Sequence, residues 1–326
     1  MSITSVHIRG DGIAAWCCAR LLSGSGISVS VEKPPDRMRP WILVSDAAQR
    51  LLCDLAADQE LFRDSPRIRK RTVLWNPASE AVTLDHSAAI VAEHDLLARL
   101  WPKILQASPA GGWTILAAPP VPAQHHHFGS RKACIAEVDL HDAREACWIE
   151  SFDRGWLFLI AGTGSRGSLI AVGARPEDLL ESSRCVAPHV AAVRDVRTEL
   201  PAYPRIASPM FGEGWLACGT AAMALDPLCG DGCGHAIREA ILASAVLRGG
   251  ADTGLLEHYE ARLRVTFERH LALCRSFYAP GRAGSWWDRE LELLDHGLEW
   301  TRAHALTEWR YRLEGFDLVP LATNRA

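Results

Sequence analysis

The chain has 326 residues, of which 48% are hydrophobic, and its formal net charge is −4. This size allows a full core in one large or two interlocked domains, and the near-neutral charge, with no basic tract beyond residues 67–71, argues against nucleic-acid binding. No apolar run reaches the about 18 residues of a membrane span, and the absence of a charged export signal predicts a cytoplasmic protein whose ten cysteines are reduced thiols.

The first predicted elements are a strand, a glycine-rich turn, a helix and a second strand. Residues 5–9 form the strand, residues 10–15 have the sequence Gly-Asp-Gly-Ile-Ala-Ala, residues 13–23 form the helix, and residues 27–31 form a strand that ends at Glu32. This order, with an acid about 20 residues beyond the turn, is the fingerprint of a dinucleotide site. The alternative is a glycine turn that holds no ligand.

The turn is predicted to hold a pyrophosphate on bare backbone amides. Gly10 allows the tight turn, Gly12 allows close approach of the phosphates, and Ala15 permits close helix–strand packing. Glu32 would accept hydrogen bonds from ribose hydroxyls, which favours FAD or NAD over NADP. The predicted cofactor contacts in this half of the site are Gly10, Gly12, Ile13, Ala14, Ala15, Glu32, Lys33 and Arg39.

The middle of the chain mixes helical and strand-like patterns. Helices are predicted over residues 47–61, 95–106, 176–184 and 186–193, a hairpin over residues 72–75 and 81–84, and a strand over residues 113–117. Four strand-like stretches without long helices between them indicate an antiparallel sheet. They are residues 133–140, 146–152, 155–161 and 168–172.

Three consecutive histidines, His125, His126 and His127, are predicted to lie in a polar loop. In a strand, neighbouring side chains would point to opposite faces, so these rings would not converge on a metal ion. No metal site is predicted for this chain.

A second glycine cluster follows a strand over residues 214–218 and precedes a helix over residues 235–247. It comprises Gly219-Thr220 and the stretch Asp-Pro-Leu-Cys-Gly-Asp-Gly-Cys-Gly at residues 226–234. These motifs resemble the second FAD motif of flavin-dependent monooxygenases and halogenases of the p-hydroxybenzoate hydroxylase type. In that family, small residues approach the flat ring and a helix N-terminus stabilises negative charge at its edge. By resemblance the contacts are Gly219, Thr220, Asp226, Pro227, Gly230, Asp231 and Gly232.

Two further stretches sharpen this resemblance. Residues 151–160 are similar to the Gly-Trp-x-Trp-x-Ile segment of flavin-dependent halogenases, with Phe158 in place of the second Trp. Residues 277–278, Arg282 and residues 286–289 resemble the tail of flavoprotein maturases that oxidise tryptophan in a partner protein during quinone cofactor biogenesis. The substrate contacts implied are Trp156, Phe158, His235 and Trp286.

The resemblance implies an α/β, glutathione-reductase-like fold. It would consist of a Rossmann-like FAD-binding domain, an inserted and mostly antiparallel β-sheet substrate domain, and a helical C-terminal tail with helices over residues 255–278 and 286–305. The predicted boundaries are residues 1–75, 95–135 and 205–255 for the FAD-binding domain, 76–94 and 136–204 for the substrate domain, and 256–326 for the tail.

The implied activity is that of a FAD-dependent monooxygenase. It would hydroxylate an aromatic ring through a C4a-hydroperoxyflavin, using NAD(P)H or another external electron donor, and its substrate could be a tryptophan side chain of a protein or peptide. Asp226 and Pro227 would lie beside the ring, with Asp226 as an acid or base or as a turn former. Lys70 lies nearest to the position of the halogenase lysine, and its alternative is a solvated charge.

Three departures from the family pattern keep other functions open. Thr220 stands where the family has Asp, residues 128–131 lack the Asp of the family's middle motif, and Glu93 stands where the family has Arg. The alternatives are a small-molecule hydroxylase, a halogenase, a flavin-linked reductase, or a partner protein that escorts a substrate without catalysis. The sequence leaves the oligomeric state open.

Overall fold

In the computed structural model, the described residues are 2–33, 41–76, 78–103, 112–142, 145–162, 164–229, 231–281, 284–306 and 310–321. Over these residues the chain is a mixed α/β protein whose longest helices follow its sheets. Its α-helices are α1 (Ile13–Ser23), α2 (Asp46–Ala56), α3 (Glu93–Leu100), α4 (Pro176–Glu181), α5 (Gly232–Arg248), α6 (Thr253–Tyr278) and α7 (Ser285–Ala303).

The strands form four sheets. They are β1 (Ser5–Arg9), β2 (Ser28–Glu32), β3 (Trp41–Ser45), β4 (Arg67–Leu74), β5 (Val82–Ala92), β6 (Trp113–Leu116), β7 (Gln124–His127), β8 (Lys132–Leu140), β9 (Ala146–Ser151), β10 (Trp156–Ala161), β11 (Arg166–Val172), β12 (Val190–Pro201), β13 (Arg205–Ser208), β14 (Phe211–Gly212), β15 (Trp215–Ala217), β16 (Met223–Ala224), β17 (Tyr311–Glu314) and β18 (Asp317–Pro320).

A five-stranded sheet carries the first glycine turn. Its order is β14-β15-β6-β1-β2, and β15, β6, β1 and β2 run parallel. Helix α1 connects β1 to β2, as the sequence predicted, and its buried residues pack on this sheet and on α5. Because the carboxyl ends of parallel strands meet at one edge, the turn after β1 lies at the same edge as the end of β15, with β6 between them.

An eight-stranded sheet forms the other large layer. Its order is β12-β8-β11-β10-β9-β4-β5-β3, and all its pairs are antiparallel except β4 with β9. Residues of β10 alternate between two buried faces. Trp156 and Phe158 belong to the main core shared with α1 and α5, and we call this the inner face. Leu157 and Leu159 pack in a smaller core with Leu179 of α4 on the outer face.

The starts of α2 and α6 are capped by short polar side chains. The Ser45 hydroxyl accepts a hydrogen bond from the Ala48 amide at the start of α2, and the Asp252 carboxylate accepts one from the Leu255 amide at the start of α6. Gly12 at α1 and Asp231 at α5 make no such side-chain bond. Within the described residues, these two glycine-rich helix starts therefore lack the kind of side-chain cap that α2 and α6 have.

Three local predictions were wrong. Residues 186–193 contain only a short 3₁₀ turn (Ala187–His189) before β12, because Pro188 interrupts the helix and the valines that follow pair with β8. The predicted helical tail ends with α7, after which β17 and β18 form a hairpin around Gly315, whose φ is +60°. The histidines predicted to lie in a loop form β7, which pairs with β13.

The pairing of the strands suggests a change to the predicted boundaries between the FAD-binding and substrate domains, and these boundaries remain a proposal. β3, β4 and β8 belong to the eight-stranded sheet, although the predicted boundaries placed β3, β4 and residues 132–135 of β8 in the FAD-binding segments. We therefore propose to move these strands to the substrate sheet domain. None of the helices in the described ranges is long and apolar enough to cross a membrane.

Candidate functional site: two glycine clusters and the inner sheet face

The first glycine turn is tightly fitted between β1 and β6. Gly10 has φ +135°, and a Cβ atom at this position would lie 3.0 Å from the Cβ of Ala117. Its amide donates to the carbonyl oxygen of Glu32 at 2.9 Å, which ties the turn to the end of β2. Ile13, Ala14 and Ala15 are buried against the sheet. The backbone amides at the start of α1 directly follow this tightly fitted turn.

The acid at the end of β2 is exposed. The Oε2 atom of Glu32 lies 3.3 Å from His7 Nε2 and 3.5 Å from Arg9 Nε, so its carboxylate is held over the sheet edge. Next to it, Lys33 places its Nζ 5.2 Å from the ring centroid of Trp101. The Trp101 indole donates to the carbonyl oxygen of Asp11 at 2.9 Å and so supports the glycine turn. Arg39 lies outside the described residues.

The second glycine cluster contacts the first directly. Gly219 has φ +58°, and a Cβ atom there would lie 2.8 Å from the Cβ of Ala14 in α1. The two helices that start at the clusters also touch, since the Cys18 thiol of α1 lies 3.7 Å from the carbonyl oxygen of Ala240 in α5. Thr220 is exposed beside Gly219. The prediction that both ends of the chain meet at one site therefore agrees with the geometry.

The start of α5 is open. Among the described residues, no heavy atom lies within 4 Å of the position that a Cβ on Gly232 would take. Asp231 pairs with Arg238 at 2.7 Å instead of capping the helix. At Gly234, a Cβ would lie 2.3 Å from Asp231 Oδ1, so glycine is required for this carboxylate position. Gly230 lies outside the described residues.

Asp226 has a different environment from the one predicted. Its side chain is fully buried, its Oδ2 accepts from Arg131 Nε and from the Tyr278 hydroxyl at 2.7 Å each, and its Oδ1 accepts from the Leu228 amide at 2.8 Å. Its own amide donates to His270 Nε2 at 2.8 Å. This geometry favours a structural role for Asp226 and does not support proton transfer to a substrate.

The same buried cluster continues through Arg131. Its Nη1 donates to Glu290 Oε2 in α7 at 2.5 Å, and its guanidinium carbon lies 4.8 Å from the ring centroid of Tyr278. Burial alone would lower the pKa of Arg131, but Tyr278, Asp226 and Glu290 raise it, so the guanidinium stays charged. Burial raises the pKa of the Tyr278 hydroxyl, which therefore stays protonated as a donor.

We call Arg131, Asp226, Tyr278 and Glu290 the buried ionic cluster. It fixes the turn Pro227–Cys229 that follows Asp226 to α6 and α7. Sequence reasoning missed Glu290 and the role of Arg131, because nothing in a one-dimensional pattern joins residues that lie 159 positions apart. The available signals in the sequence were Arg131, at the end of the candidate middle motif, and Tyr278, in the stretch that resembles the maturase tail.

The candidate substrate residues differ in accessibility. Trp156 is fully buried on the inner face and its indole donates to the Tyr278 hydroxyl at 3.2 Å. Trp286 is partly buried and packs edge-on against Trp287, with ring centroids 4.8 Å apart. His235 lies in the first turn of α5, where burial and the nearby Arg238 lower its pKa and favour the neutral ring. Of these three residues, Trp286 and His235 retain exposed surface.

Lys70 and Phe158 lie on opposite faces of the eight-stranded sheet. Neighbouring residues of a strand point to opposite faces, and the residue after Lys70 contacts Phe158 on the inner face. The Lys70 ammonium is exposed and lies 2.6 Å from Asp85 Oδ1, where it lowers the pKa of that carboxyl. This placement supports the alternative of a solvated ion pair and does not support a catalytic role for Lys70.

A cavity of about 360 Å³ lies at the turn between β9 and β10. Buried side chains of Leu74, Phe152 and Leu179 form its base, and exposed Arg154 and Arg184 lie at its rim. None of the predicted site residues that the structure describes lines it. Since Leu179 and Phe152 belong to the outer core, this cavity is separate from the glycine clusters.

Comparison with known proteins supports the predicted fold. No protein-family model matches the sequence, and no curated protein sequence matches it. Among solved structures, the chain is similar to the peptidyl tryptophan dihydroxylase QhpG, which is essential for tryptophylquinone cofactor biogenesis. The TM-score is 0.70 and the identity 16%, over 98% of this chain and 86% of that chain.

Two further structures have the same fold. The myxobacterial chondrochloren halogenase CndH, a FAD-dependent halogenase, has a TM-score of 0.75 at 16% identity, over 93% of this chain and 90% of that chain. A point variant of HpxO from Klebsiella pneumoniae, complexed with FAD, has a TM-score of 0.65 at 15% identity, over 93% of this chain and 95% of that chain. These neighbours belong to the superfamily that the motifs predicted, which confirms the resemblance for the fold.

Proposed function

We propose that this protein is a FAD-dependent monooxygenase that hydroxylates an aromatic ring. The observation that carries the proposal is the contact of Gly219 with Ala14 in the first turn of α1, together with the packing of α1 on α5, since the first residue of neither helix start forms a side-chain cap. Free amides at helix N-termini suit the pyrophosphate of a dinucleotide and a negatively charged ring edge. The fold shared with flavin-dependent enzymes supports the same cofactor.

Different residues of the chain would bind different parts of FAD. The amides after Gly12 would hold the pyrophosphate, and the exposed carboxylate of Glu32 would accept from the ribose hydroxyls. The open start of α5 at Gly232 would face the ring. Bound FAD supplies the oxygen chemistry, with NAD(P)H or another external donor supplying electrons. The buried ionic cluster would keep the turn after Asp226 in position.

The substrate proposal is an aromatic ring held against the inner face of the eight-stranded sheet. A tryptophan side chain in a protein or peptide is one candidate, since the structural neighbour QhpG is a peptidyl tryptophan dihydroxylase. A small aromatic molecule is the other. The position of Lys70 on the opposite face from Phe158 argues against halogenation by that lysine.

The test is reconstitution of the purified protein with FAD. We expect stoichiometric uptake, followed as the visible absorbance of oxidised flavin that stays with the protein after gel filtration. Oxidation of NADH or of a chemically reduced flavin should then rise when a tryptophan-containing peptide or a small indole is added. Mass spectrometry should show the substrate with one added oxygen atom.

Two results would reject parts of this proposal. Failure to retain FAD would favour the non-catalytic escort, because such a partner needs no flavin. Retention of FAD with substrate-dependent chlorination or bromination in the presence of halide would favour a halogenase.

A further inference from the structure

Arg71 lies on the inner face of the eight-stranded sheet beside Phe158. Its guanidinium carbon is 5.8 Å from the centroid of the Phe158 ring, and its Nη2 is 3.0 Å from His86 Nε2. It also hydrogen bonds to the thiol of Cys147. Burial and Arg71 lower the pKa of His86, so the imidazole is neutral and accepts from the guanidinium.

Arg71 differs from the other cations of its strand. Arg67, Arg69 and Lys70 each pair with a carboxylate, from Asp46, Glu145 and Asp85 respectively. Within the described ranges, Arg71 has only neutral partners, and its buried Nε has no acceptor within hydrogen-bond distance. A buried donor left without an acceptor is costly, and a guanidinium binds carboxylates through paired N–H groups. Arg71 is therefore a cation that lacks an anion.

On the same face as Arg71, the neighbouring strand β5 is open to solvent. Leu84 is directly opposite Arg71 in the pairing of β4 with β5, and Val82 is opposite Val73. Directly paired residues share a face, and Leu84 and Val82 are 52% and 55% exposed. An apolar group can therefore lie on these side chains while an attached anion reaches the guanidinium.

We propose that Arg71 binds a carboxylate of the aromatic substrate, while the apolar part of that substrate lies along Leu84 and Val82. The inference deepens the proposed function, since it assigns an acidic aromatic compound as the substrate class of the same face. The carboxylate could belong to a free aromatic acid or to an acidic residue next to a tryptophan in a peptide. Both sources present the same group to the guanidinium.

The experiment measures binding by isothermal titration calorimetry, with and without FAD. The probes are indolepropionate, its neutral amide indolepropionamide, and a pair of tryptophan peptides that differ by Asp and Asn next to the tryptophan. The variants are Arg71→Gln, Arg71→Lys and, as a matched control, Arg69→Gln, which removes an exposed cation from the same strand.

Whichever carboxylate probe binds the wild-type protein, we expect Arg71→Gln to raise its Kd by about tenfold or more. The Kd of the corresponding neutral probe should change little. Arg71→Lys should retain part of the affinity, and Arg69→Gln should match the wild type. Tighter binding of indolepropionate than of either peptide identifies a free acid, and preference for the Asp peptide identifies a peptide substrate.

Equal losses for charged and neutral probes, or an equal effect of Arg69→Gln, would overturn the inference. Because binding is read without FAD as well, failure of the anion site is distinguishable from failure of flavin binding. Circular dichroism and melting curves of Arg71→Lys control for loss of folding.

Discussion

Gly219 and Ala14 are in such close contact that a Cβ atom on Gly219 would lie 2.8 Å from the Cβ of Ala14. One residue belongs to the second glycine cluster and the other to the first turn of α1, and 205 positions in sequence separate them. The contact explains why both positions carry the smallest side chains. It also makes the meeting of the two clusters directly testable.

Substitution of Gly219 by Ala should destabilise the protein and weaken FAD binding together. The φ of +58° costs any other residue about 1 kcal/mol, and the clash with Ala14 adds to this cost. The free energy of unfolding in urea and the Kd for FAD are the measurements. Gly164→Ala is the matched control, since Gly164 has φ +63° and a Cβ there would have no described atom within 4 Å. Partial rescue of Gly219→Ala by Ala14→Gly would identify the clash, and no rescue would exclude it.

Loss of Asp226 should be among the most destabilising single substitutions. In the core, Arg131 pairs with the carboxylates of Asp226 and Glu290, and Asp226→Asn removes the first of them. Breaking a buried ion pair costs about 3–5 kcal/mol of unfolding free energy. Urea denaturation measures this loss. Asp295→Asn, which breaks an exposed pair with Arg275, should cost about 1 kcal/mol or less. Similar costs for the two variants would contradict a structural role for the buried ionic cluster.

Removal of the Tyr278 hydroxyl is a smaller perturbation of the buried ionic cluster. Tyr278→Phe deletes the donor to Asp226 Oδ2 but keeps the ring under Arg131. We expect a loss of about 1–3 kcal/mol in unfolding free energy, since a buried carboxylate oxygen loses one of its donors. In the double variant with Asp226→Asn, the two losses should not add. Full additivity would show that the hydroxyl and the carboxylate do not interact.

Glu32→Ala should weaken FAD binding more than FMN binding. The proposed partners of this carboxylate are the ribose hydroxyls of the adenosine half, which FMN lacks. Loss of hydrogen bonds to a charged group predicts an increase of about tenfold in the Kd for FAD. Fluorescence titration with both flavins measures this difference. A matching increase for FMN would place Glu32 outside the ribose site and indicate a general effect on the turn.

Stability should fall as the pH falls through the range of histidine titration, and His235 should contribute. Burial and Arg238 lower its folded pKa, so the unfolded chain binds the proton more tightly. The stability due to the neutral ring is present above the unfolded pKa of about 6.5 and is lost as pH falls below it. His235→Gln should therefore reduce the loss of unfolding free energy between about pH 7.5 and about pH 5.5.

The control for this pH effect is His141→Gln, because His141 is an exposed histidine. His86, His126, His127 and His258 also have lowered pKa values from burial, so the wild-type slope is a sum and only part of it should disappear in His235→Gln. An unchanged slope in His235→Gln would show that the ring titrates equally in both states.

Local patterns predicted much of the secondary structure and the position of the first glycine turn. The order from β1 to Glu32, the hairpin of β4 and β5, and the strands β8 to β11 all follow from side-chain periodicity and from the turn residues between them. Residues 186–193 and the final hairpin were misassigned, since short segments of mixed pattern take their conformation from the strands that they pair with.

The tertiary structure decided which side chains share a site. The sequence of β4 offers Arg67, Arg69, Lys70 and Arg71 as equivalent charges, and only the pairing of the strands places Arg71 beside Phe158 and Lys70 on the opposite face. Likewise, the ion pair of Asp226 with Arg131 joins residues 95 positions apart. Periodicity is a property of neighbours along the chain, whereas charge pairing and burial depend on distances that only the folded chain defines.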